Sequence, residues 1–178
     1  MGDINPHRDV LLVAAISSQF DDAFGWAKAQ METEWGPVQF ESPRFEFTET
    51  RFYAETMGEE LSKQFFAFRQ LIDPASLASV KIRTNDLENT YLQQSDGAVI
   101  RPVNIDPGYL TEAKLVLATT KDRDHRIYLQ QGIFAEVTLH YHRKMWQKSR
   151  WTYPDYQRED FHAFFSRCRD WLRAVYRA

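Results

Sequence analysis

The segment Arg126-Ile-Tyr-Leu-Gln-Gln-Gly-Ile-Phe-Ala-Glu-Val-Thr-Leu-His-Tyr-His142 gives the clearest indication of the fold. Two runs of alternating side chains flank Gln130-Gln131-Gly132, and Gly132 can take the left-handed conformation that a three-residue hairpin loop needs. The segment therefore predicts an antiparallel β-hairpin. One face of it would carry Ile127, Leu129, Ile133, Ala135, Val137 and Leu139. The other would carry Arg126, Tyr128, Phe134, Glu136, Thr138, His140 and His142, with Arg126 opposite Glu136.

Alternation also marks segments upstream of this hairpin. Val99 to Ile105 predicts a strand, and the next four residues, Asp106-Pro107-Gly108-Tyr109, place Pro and Gly where a type II turn requires them. Lys114 to Thr119 is a strand or a short helix. Ser79 to Thr84 predicts a further strand, after which the polar pair Asn85-Asp86 offers an N-cap for a short helix.

The amino-terminal part of the chain predicts a strand, a helix and a second strand. Asp9 to Ser17 is an apolar run of strand length. Ser18 is a candidate N-cap with Asp21 as its capping partner, and Gly36-Pro37 would end the helix. Glu41 to Arg51 alternates and predicts a short half-buried strand.

Two more helices complete the prediction. Glu59 to Ile72 has apolar residues at helical spacing, and Asp73-Pro74 would end that helix. Phe161 to Val175 predicts a final helix with Cys168 in the core. Because strands outnumber helices without alternating regularly with them, we expect an α+β fold, with residues 1–178 as a single domain. The expected sheet is largely antiparallel or mixed, with about five to six strands and helices packed on one face.

Composition excludes several classes of protein. The chain has 178 residues, a net charge of −3 and one cysteine. A single cysteine rules out an intramolecular disulfide framework and favours a reducing compartment, so we expect a cytoplasmic protein. The longest apolar run, Val10 to Ile16, is too short to span a membrane. The mixed charges disfavour general binding of nucleic acid, and they leave the oligomeric state open.

Familiar catalytic loops are missing from the sequence. It contains no G-x-x-x-x-G-K-[ST] phosphate loop, no G-x-G-x-x-G after a strand and no G-x-S-x-G elbow. Asp106-Pro107-Gly108 and Thr120-Lys121-Asp122 are similar to two GTPase motifs, but both are out of register. A P-loop GTPase is therefore disfavoured, as is catalysis by a serine or cysteine nucleophile.

Basic residues near predicted strand ends suggest a site for an anion. An arginine fork and nearby lysines can clamp a phosphate or carboxylate. The candidate ligand-binding residues are Lys81, Arg101, Asn104, Lys121 and Arg126. Ordinary ion pairing, above all between Arg126 and Glu136, is the favoured alternative.

Acidic residues and histidines supply candidates for acid–base chemistry and, more weakly, for a metal site. The catalytic candidates are Asp106, His125, Glu136 and Asp155. Glu136, His140 and His142 on one strand face could ligate a metal, but the adjacent Arg143-Lys144 disfavours this, and a solvated strand face is preferred. The sequence leaves the cofactor unknown. The aromatic loop Trp151 to Tyr156 favours packing over base stacking.

Several longer motifs resemble those of a bacterial and archaeal family of similar length that is known only as a domain of unknown function, number 4416. The motifs are Phe45-Glu46-Phe47-Thr48, Phe52-Tyr53-Ala54-Glu55-Thr56-Met57-Gly58, Lys81 with Thr84-Asn85 and Glu88, Arg101 with the run from Val103 to Leu110, His125 to Leu129, Gly132 to Leu139, and Trp151 to Tyr156. The family has two tyrosines and Glu-Met-Gly where this chain has Phe52-Tyr53 and Glu55-Thr56-Met57-Gly58. Members are sometimes labelled GTP-binding, but the resemblance implies no established activity.

These residues favour a protein that binds a small anionic ligand of phosphorylated or nucleotide-like character. The same hypothesis includes an enzyme that acts on this ligand. The alternative is a non-catalytic module that docks a protein or RNA partner through its polar strands or aromatic loop. A concave pocket would favour the first hypothesis, and a contiguous exposed apolar patch would favour the second. The sequence does not decide whether the protein is an enzyme.

Overall fold

The computed structural model describes residues 2–46, 54–58, 60–95 and 99–178. These residues contain nine strands and four α-helices. The strands are β1 (Val10–Ser18), β2 (Val38–Glu41), β3 (Phe45–Glu46), β4 (Ser62–Ile72), β5 (Asn104–Leu110), β6 (Lys114–Thr119), β7 (Ile127–Gln130), β8 (Ile133–His142) and β9 (Met145–Lys148). The helices are α1 (Asp21–Trp35), the one-turn α2 (Ala54–Met57), α3 (Leu77–Gln94) and α4 (Glu159–Val175).

All of these strands belong to one sheet, in the order β2-β4-β1-β5-β6-β8-β7, with β3 beside β4 and β9 beside β8. Every pairing is antiparallel. The α+β class and the antiparallel sheet are therefore confirmed. The predicted count of about five to six strands is wrong, because a predicted helix is a strand and β2 and β9 were not anticipated. No described helix is long and apolar enough to cross a membrane.

Helices cover both faces of the sheet, which corrects the expectation of one covered face. Phe161 and Phe165 of α4 pack on one face. On the other face lie Phe24 of α1 and Leu87 of α3. The central strand β1 is buried at all nine positions, so each of its faces needs a cover.

Strand β4 replaces the helix predicted over Glu59 to Ile72. Phe65 and Phe68 have helical spacing, but Phe66 and Ala67 between them are equally buried. The reason is that β4 pairs with β1 on one side and with β2 and β3 on the other, under cover on both faces. A short continuous apolar run of this kind fits a buried strand as well as a helix, and the tertiary environment decides between them.

Helix α3 replaces the strand predicted over Ser79 to Thr84 and the short helix after it. Asp73 opens this region, because its carboxylate accepts a hydrogen bond from the backbone N–H of Ala75 at 2.8 Å. The buried positions of α3 are Leu77, Ala78, Val80, Lys81, Thr84, Leu87 and Tyr91. Their spacing of three to four residues is helical, whereas the alternation of Val80 and Ile82 with charged residues suggested a strand.

The other predictions for the amino-terminal half hold in part. β1 and α1 are confirmed, but α1 begins without a side-chain cap. The Ser18 hydroxyl instead accepts a hydrogen bond from the backbone N–H of Phe20 at 2.9 Å. β3 lies within the predicted strand Glu41 to Arg51, whose residues 47–51 fall outside the described part of the chain. β6 and α4 are confirmed, and Cys168 is buried.

The predicted hairpin is present as β7 and β8, with a tighter loop than expected. Gln131 and Gly132 both have positive φ, at 53° and 76°, which is typical of a two-residue type I′ turn. In addition, Val137 pairs with Val116 while Leu139 pairs with Leu115, so Thr138 is an extra residue in β8.

This bulge changes which residues of β8 share a face. Leu139 joins the core cluster under α4, whereas Val137 is 50% exposed. Ile127 and Leu129, expected on an apolar face, are exposed as well. Glu136, expected on a polar face, is buried.

Candidate functional site

The sheet opens between β5 and β6. Their pairing is confined to Gly108–Leu110 against Leu115–Leu117. Beyond it, Asn104–Pro107 pairs with β1, and Ala118–Thr119 pairs with β8. In the continued register Pro107 would face Ala118, but proline has no N–H to donate. We infer that Pro107 ends the ladder and lets the two strands separate.

The predicted strand Val99 to Ile105 has the wrong bounds, because the strand present is β5, Asn104–Leu110. The predicted type II turn at Asp106-Pro107-Gly108-Tyr109 is therefore wrong too, because all four residues lie inside β5. They pair with Ala15 to Leu12 of β1. Gly108 has a different role, which is to let β6 approach closely. A Cβ atom on Gly108 would lie 2.3 Å from the carbonyl oxygen of Val116.

A cleft of about 740 Å³ occupies the opening. Its lining comes from β4, β5, β6 and β8, from α3, from Arg101 ahead of β5, from residues 120–126 and from the aromatic loop. The lining residues are Lys63, Lys81, Asn85, Glu88, Asn89, Arg101, Asn104, Asp106, Leu117, Ala118, Thr119, Thr120, Lys121, Arg123, Arg126, Glu136, Tyr153, Pro154, Asp155 and Tyr156. All five predicted ligand-binding residues thus converge on one cleft. Among the catalytic candidates, Asp106, Glu136 and Asp155 line it, and His125 contacts Glu136 from behind.

The side of the cleft next to β5 is named here the β5 bank; it comprises Lys81, Asn85, Glu88, Asn89, Arg101, Asn104 and Asp106. Lys81 extends from α3, not from a strand as predicted. Its ammonium donates to the carbonyl of Ile105 at 2.9 Å and lies 3.4 Å from Asp106 Oδ1. The backbone N–H of Ile105 donates to Glu88 Oε1 at 2.7 Å. Two side chains of α3 thus satisfy the backbone of β5 where β6 has separated from it.

Two carboxylates of the β5 bank have pKa values shifted in opposite directions. Burial opposes ionisation of Asp106, but Lys81, Lys63 and Arg101, with a 2.7 Å hydrogen bond from Asn104, hold its pKa below the usual range. For Glu88, burial outweighs the attraction of Lys81 and Arg101 and raises the pKa. Arg101 Nη2 lies 2.6 Å from Glu88 Oε2. At neutral pH the cleft therefore holds an ionised Asp106.

The opposite side is named the β8 bank; it comprises Lys121, Arg123, Arg126, Glu136 and Tyr153. Arg126 Nε donates to Glu136 Oε2 at 2.7 Å, so the expected pair is present. Only 4% of the Arg126 side chain and 5% of that of Glu136 are exposed. Arg126 also donates to the Lys121 carbonyl at 2.9 Å and to the Tyr153 hydroxyl at 2.6 Å. This arginine ties the loop 120–126 to the aromatic loop.

His125 supports the β8 bank from outside the cleft. Its Nε2 lies 2.8 Å from Glu136 Oε2, and its ring stacks on Trp151 at 5.2 Å between centroids. Glu136 is thus shared by His125 and Arg126. Both basic partners contact its Oε2, which suits a positioning role.

The aromatic loop closes the core through Tyr156 alone among its described aromatic residues, since Trp151 and Tyr153 are exposed, and it holds Asp155. Tyr156 is buried against Phe165 under α4. Asp155 is also buried, and its carboxylate forms an ion pair with Lys63 of β4. The ammonium of Lys63 additionally lies over the Tyr156 ring, 5.2 Å from its centroid. The loop therefore anchors a charged pair at the base of the cleft.

The weak metal candidate has no geometric support. The extra residue Thr138 puts Glu136 and Leu139 on the α4 face, so His140 and His142 point to the opposite face, where both are exposed. Within the described ranges, no group of three or more His, Cys, Asp or Glu residues is arranged to hold a metal ion.

Sequence reasoning missed part of the site on α3. Asn85, Glu88 and Asn89 follow Lys81 at intervals of four, seven and eight residues, which places all four on one helical face. This polar stripe was the available signal. The polar stripe is not apparent when the segment is interpreted as a strand followed by the N-cap of a short helix. Lys63, Arg123 and Tyr153 were missed too; Lys63 lay in the segment predicted as a helix.

Cationic side chains outnumber acidic ones in the cleft. The lining contains six Lys or Arg residues and four Asp or Glu residues, whereas the whole chain has a net charge of −3. Lys63 and Lys81 are 5% and 4% exposed. The electrostatic potential there should be more positive than over the rest of the surface.

The fold and cleft define a single-domain α+β protein whose antiparallel sheet is split by a cationic, carboxylate-containing cleft. The chain belongs to the family described as Domain of unknown function (DUF4416), whose model matches residues 8–172. No curated protein and no solved structure matches the chain.

Proposed function

We propose that the cleft binds a small anionic ligand of phosphorylated or nucleotide-like character. The observation that carries the proposal is the excess of Lys and Arg over Asp and Glu in the lining of a chain that is acidic overall. An open cleft with low-dielectric walls concentrates such a field and raises the local concentration of anions.

The size of the cleft also supports this proposal. Small-molecule sites commonly have volumes of about 300–1,000 Å³, and this cleft measures about 740 Å³. A protein or nucleic-acid partner would instead use a wider surface. The proposed occupant is therefore a molecule of metabolite size.

The residues of the β8 bank have different proposed roles. Arg126 already makes hydrogen bonds to Glu136, the Lys121 carbonyl and Tyr153, so it acts as a positioning residue. The side chain of Arg123 makes no hydrogen bond within the described part of the chain, and it lines the cleft. Arg123 and Lys121 are thus proposed to contact the anion.

Asp106 is the best candidate if the cleft also performs acid–base chemistry. His125 and Glu136 bind each other, and Asp155 binds Lys63. Asp106 is one-third exposed, and its Oδ1 contacts only Lys81, at 3.4 Å, among the residues that the structure describes. An ionised carboxylate in this setting can accept a proton from a bound substrate.

A thermal-shift screen tests the binding proposal. The panel contains inorganic phosphate, pyrophosphate, nucleotides, sugar phosphates and dicarboxylates. A ligand at 100 times its Kd stabilises the fold by about 2.7 kcal/mol, which raises the Tm of a domain of this size by about 5–10 °C. Arg123→Ala should reduce that rise, and Arg177→Ala, which removes an exposed arginine near the carboxyl terminus, should not. No shift with any compound would refute the proposal.

A second function has its own supporting observation, which is exposed apolar surface at one edge of the sheet. Ile127, Tyr128, Leu129, Val137 and Met145 are between 38% and 71% exposed, and all lie on β7, β8 or β9. A surface of this kind can dock a protein or RNA partner. Purification from the native host, with and without nuclease, tests this; recovery of the protein alone would count against it.

The buried thiol supports a cytoplasmic location as part of the same proposal. Cys168 is buried among the phenylalanines of α4, and burial raises its pKa to about 12. Such a thiol stays protonated and unreactive. Cell fractionation with an antibody against the protein tests the location.

A further inference from the structure

The two banks of the cleft differ in charge. The β8 bank has three cationic side chains, Lys121, Arg123 and Arg126, and one acidic side chain, Glu136. In the β5 bank, Lys81 and Arg101 are balanced by Glu88 and Asp106. At the base, Lys63 is balanced by Asp155. The positive excess of the cleft therefore lies at the β8 bank.

The β5 bank offers neutral hydrogen-bonding groups instead. Asn85 and Asn89 line the cleft, and their amides make no hydrogen bond within the described part of the chain. They lie one helical turn apart on α3 and share the cleft lining with Asp106, whose Oδ1 makes, among the described residues, only a long contact with Lys81. Each amide supplies two N–H donors and one carbonyl acceptor, and the carboxylate supplies acceptors.

Hydroxyl groups are the ligand groups that match this set. A hydroxyl donates one hydrogen bond and accepts others, so a row of amides and a carboxylate can satisfy several of them at once. A second phosphate would fit poorly there, because Lys81 and Arg101 are already paired with Asp106 and Glu88. The β5 bank is thus suited to a neutral, hydroxylated part of a ligand.

We propose that the ligand is a phosphorylated sugar, with its phosphate at the β8 bank and its hydroxyl groups at Asn85, Asn89 and Asp106. This inference rests on the proposed binding of an anion and adds the chemistry of the remainder of the ligand. A free sugar phosphate and a nucleotide share this chemistry.

Isothermal titration calorimetry with matched probes tests the inference. Ribose 5-phosphate and n-butyl phosphate carry the same phosphate ester, but only the first has sugar hydroxyls. Since each net hydrogen bond contributes about 0.5–1.5 kcal/mol, ribose 5-phosphate should bind about tenfold or more tightly than butyl phosphate. Adenosine monophosphate distinguishes a nucleotide from a free sugar phosphate as the ligand. If it binds more tightly than ribose 5-phosphate, the ligand is a nucleotide. If it binds equally or more weakly, the ligand is a free sugar phosphate.

Two variants test which part of the ligand each bank binds. Asn89→Ala should weaken the binding of ribose 5-phosphate by about threefold to tenfold and leave the affinity for butyl phosphate unchanged. Arg123→Ala should weaken the binding of both compounds by a similar factor. Gln93→Ala, which removes an exposed amide from the same helix outside the cleft, should change neither affinity.

The outcomes that overturn the inference differ from those that overturn the proposed function. Equal affinity for ribose 5-phosphate and butyl phosphate, or an unchanged preference in Asn89→Ala, would refute the sugar phosphate and leave anion binding in place. Failure of both phosphate esters and of inorganic phosphate to bind would refute anion binding itself, and the inference with it.

Discussion

Arg126 and Glu136 form an ion pair that is almost inaccessible to solvent, with both side chains at most 5% exposed. Breaking such a pair leaves an uncompensated buried charge, which costs about 3–5 kcal/mol. Glu136→Gln keeps the shape and removes the charge, so we expect a loss of unfolding free energy in or near that range. Urea unfolding of the wild type, Glu136→Gln, Arg126→Met and the double variant measures both the loss and the coupling energy.

Arg83 and Glu34 supply the matched control. Their side chains are 43% and 34% exposed, although their 2.6 Å separation is as short. Exposed pairs of this kind typically couple by about 0.2–1 kcal/mol. If the coupling of Arg126 with Glu136 is no larger than that of the exposed pair, the β8 bank is not the buried, rigid element inferred from the contacts.

Asp106 makes the protein sensitive to acid in a predictable direction. Its folded pKa lies below the unfolded value of about 3.9. Its ionisation therefore stabilises the fold above that value, and the contribution is lost as the pH falls through the folded pKa. Asp106→Asn should flatten the dependence of stability on pH below about pH 4. Carboxyl ¹³C NMR titration should show Asp106 ionising at lower pH than Glu88, and the reverse order would contradict this.

At the level of secondary structure, Gly108 allows β5 and β6 to approach closely. A methyl group at residue 108 would lie 2.3 Å from the Val116 carbonyl oxygen, so one strand must move. We expect Gly108→Ala to destabilise the protein by about 1–3 kcal/mol. Gly25→Ala is the control, because Gly25 lies in α1 with no atom near an added Cβ, and alanine should stabilise that helix by about 0.5–1 kcal/mol. Equal effects in urea unfolding would contradict the close approach.

The opening between β5 and β6 gives a second prediction at this scale. The amide of Ile105 donates to Glu88 of α3 instead of to a strand. Glu88→Ala should therefore speed hydrogen exchange at Ile105, because that amide loses its acceptor. The amide of Tyr109, in the paired half of β5, should keep its protection. Uniform protection along β5 in the variant would show that the strands do not separate there.

The sequence predicts some elements better than others for reasons that the structure makes clear. α4 keeps one apolar stripe, and Gly132 marks the turn of the hairpin, so local patterns suffice to locate these two elements. β4 is buried on both faces and loses alternation, and α3 places Lys81 in the interior, where a polar residue disguises the helical pattern. In both cases neighbours distant in sequence decide the conformation.

For the whole molecule, the convergence of the candidate residues could be foreseen only in outline. The candidate cationic residues meet at one cleft because their long side chains reach it from different elements. The cleft itself depends on the separation of β5 from β6 at Pro107, and Pro107-Gly108 has the composition of a turn. Lys81 reaches the cleft from a helix that was predicted as a strand.

The most direct test of anion binding in the cleft is an NMR titration of the ¹⁵N-labelled protein with ribose 5-phosphate. Binding in the cleft should shift the amide resonances of residues 119–126 together with those of Asn85–Asn89 and Asn104–Asp106, because these segments lie far apart in sequence and all contribute to the cleft lining. Arg123→Ala should reduce these shifts at a given ligand concentration. Unchanged spectra up to millimolar ligand, or shifts confined to β7 and β9, would contradict the account.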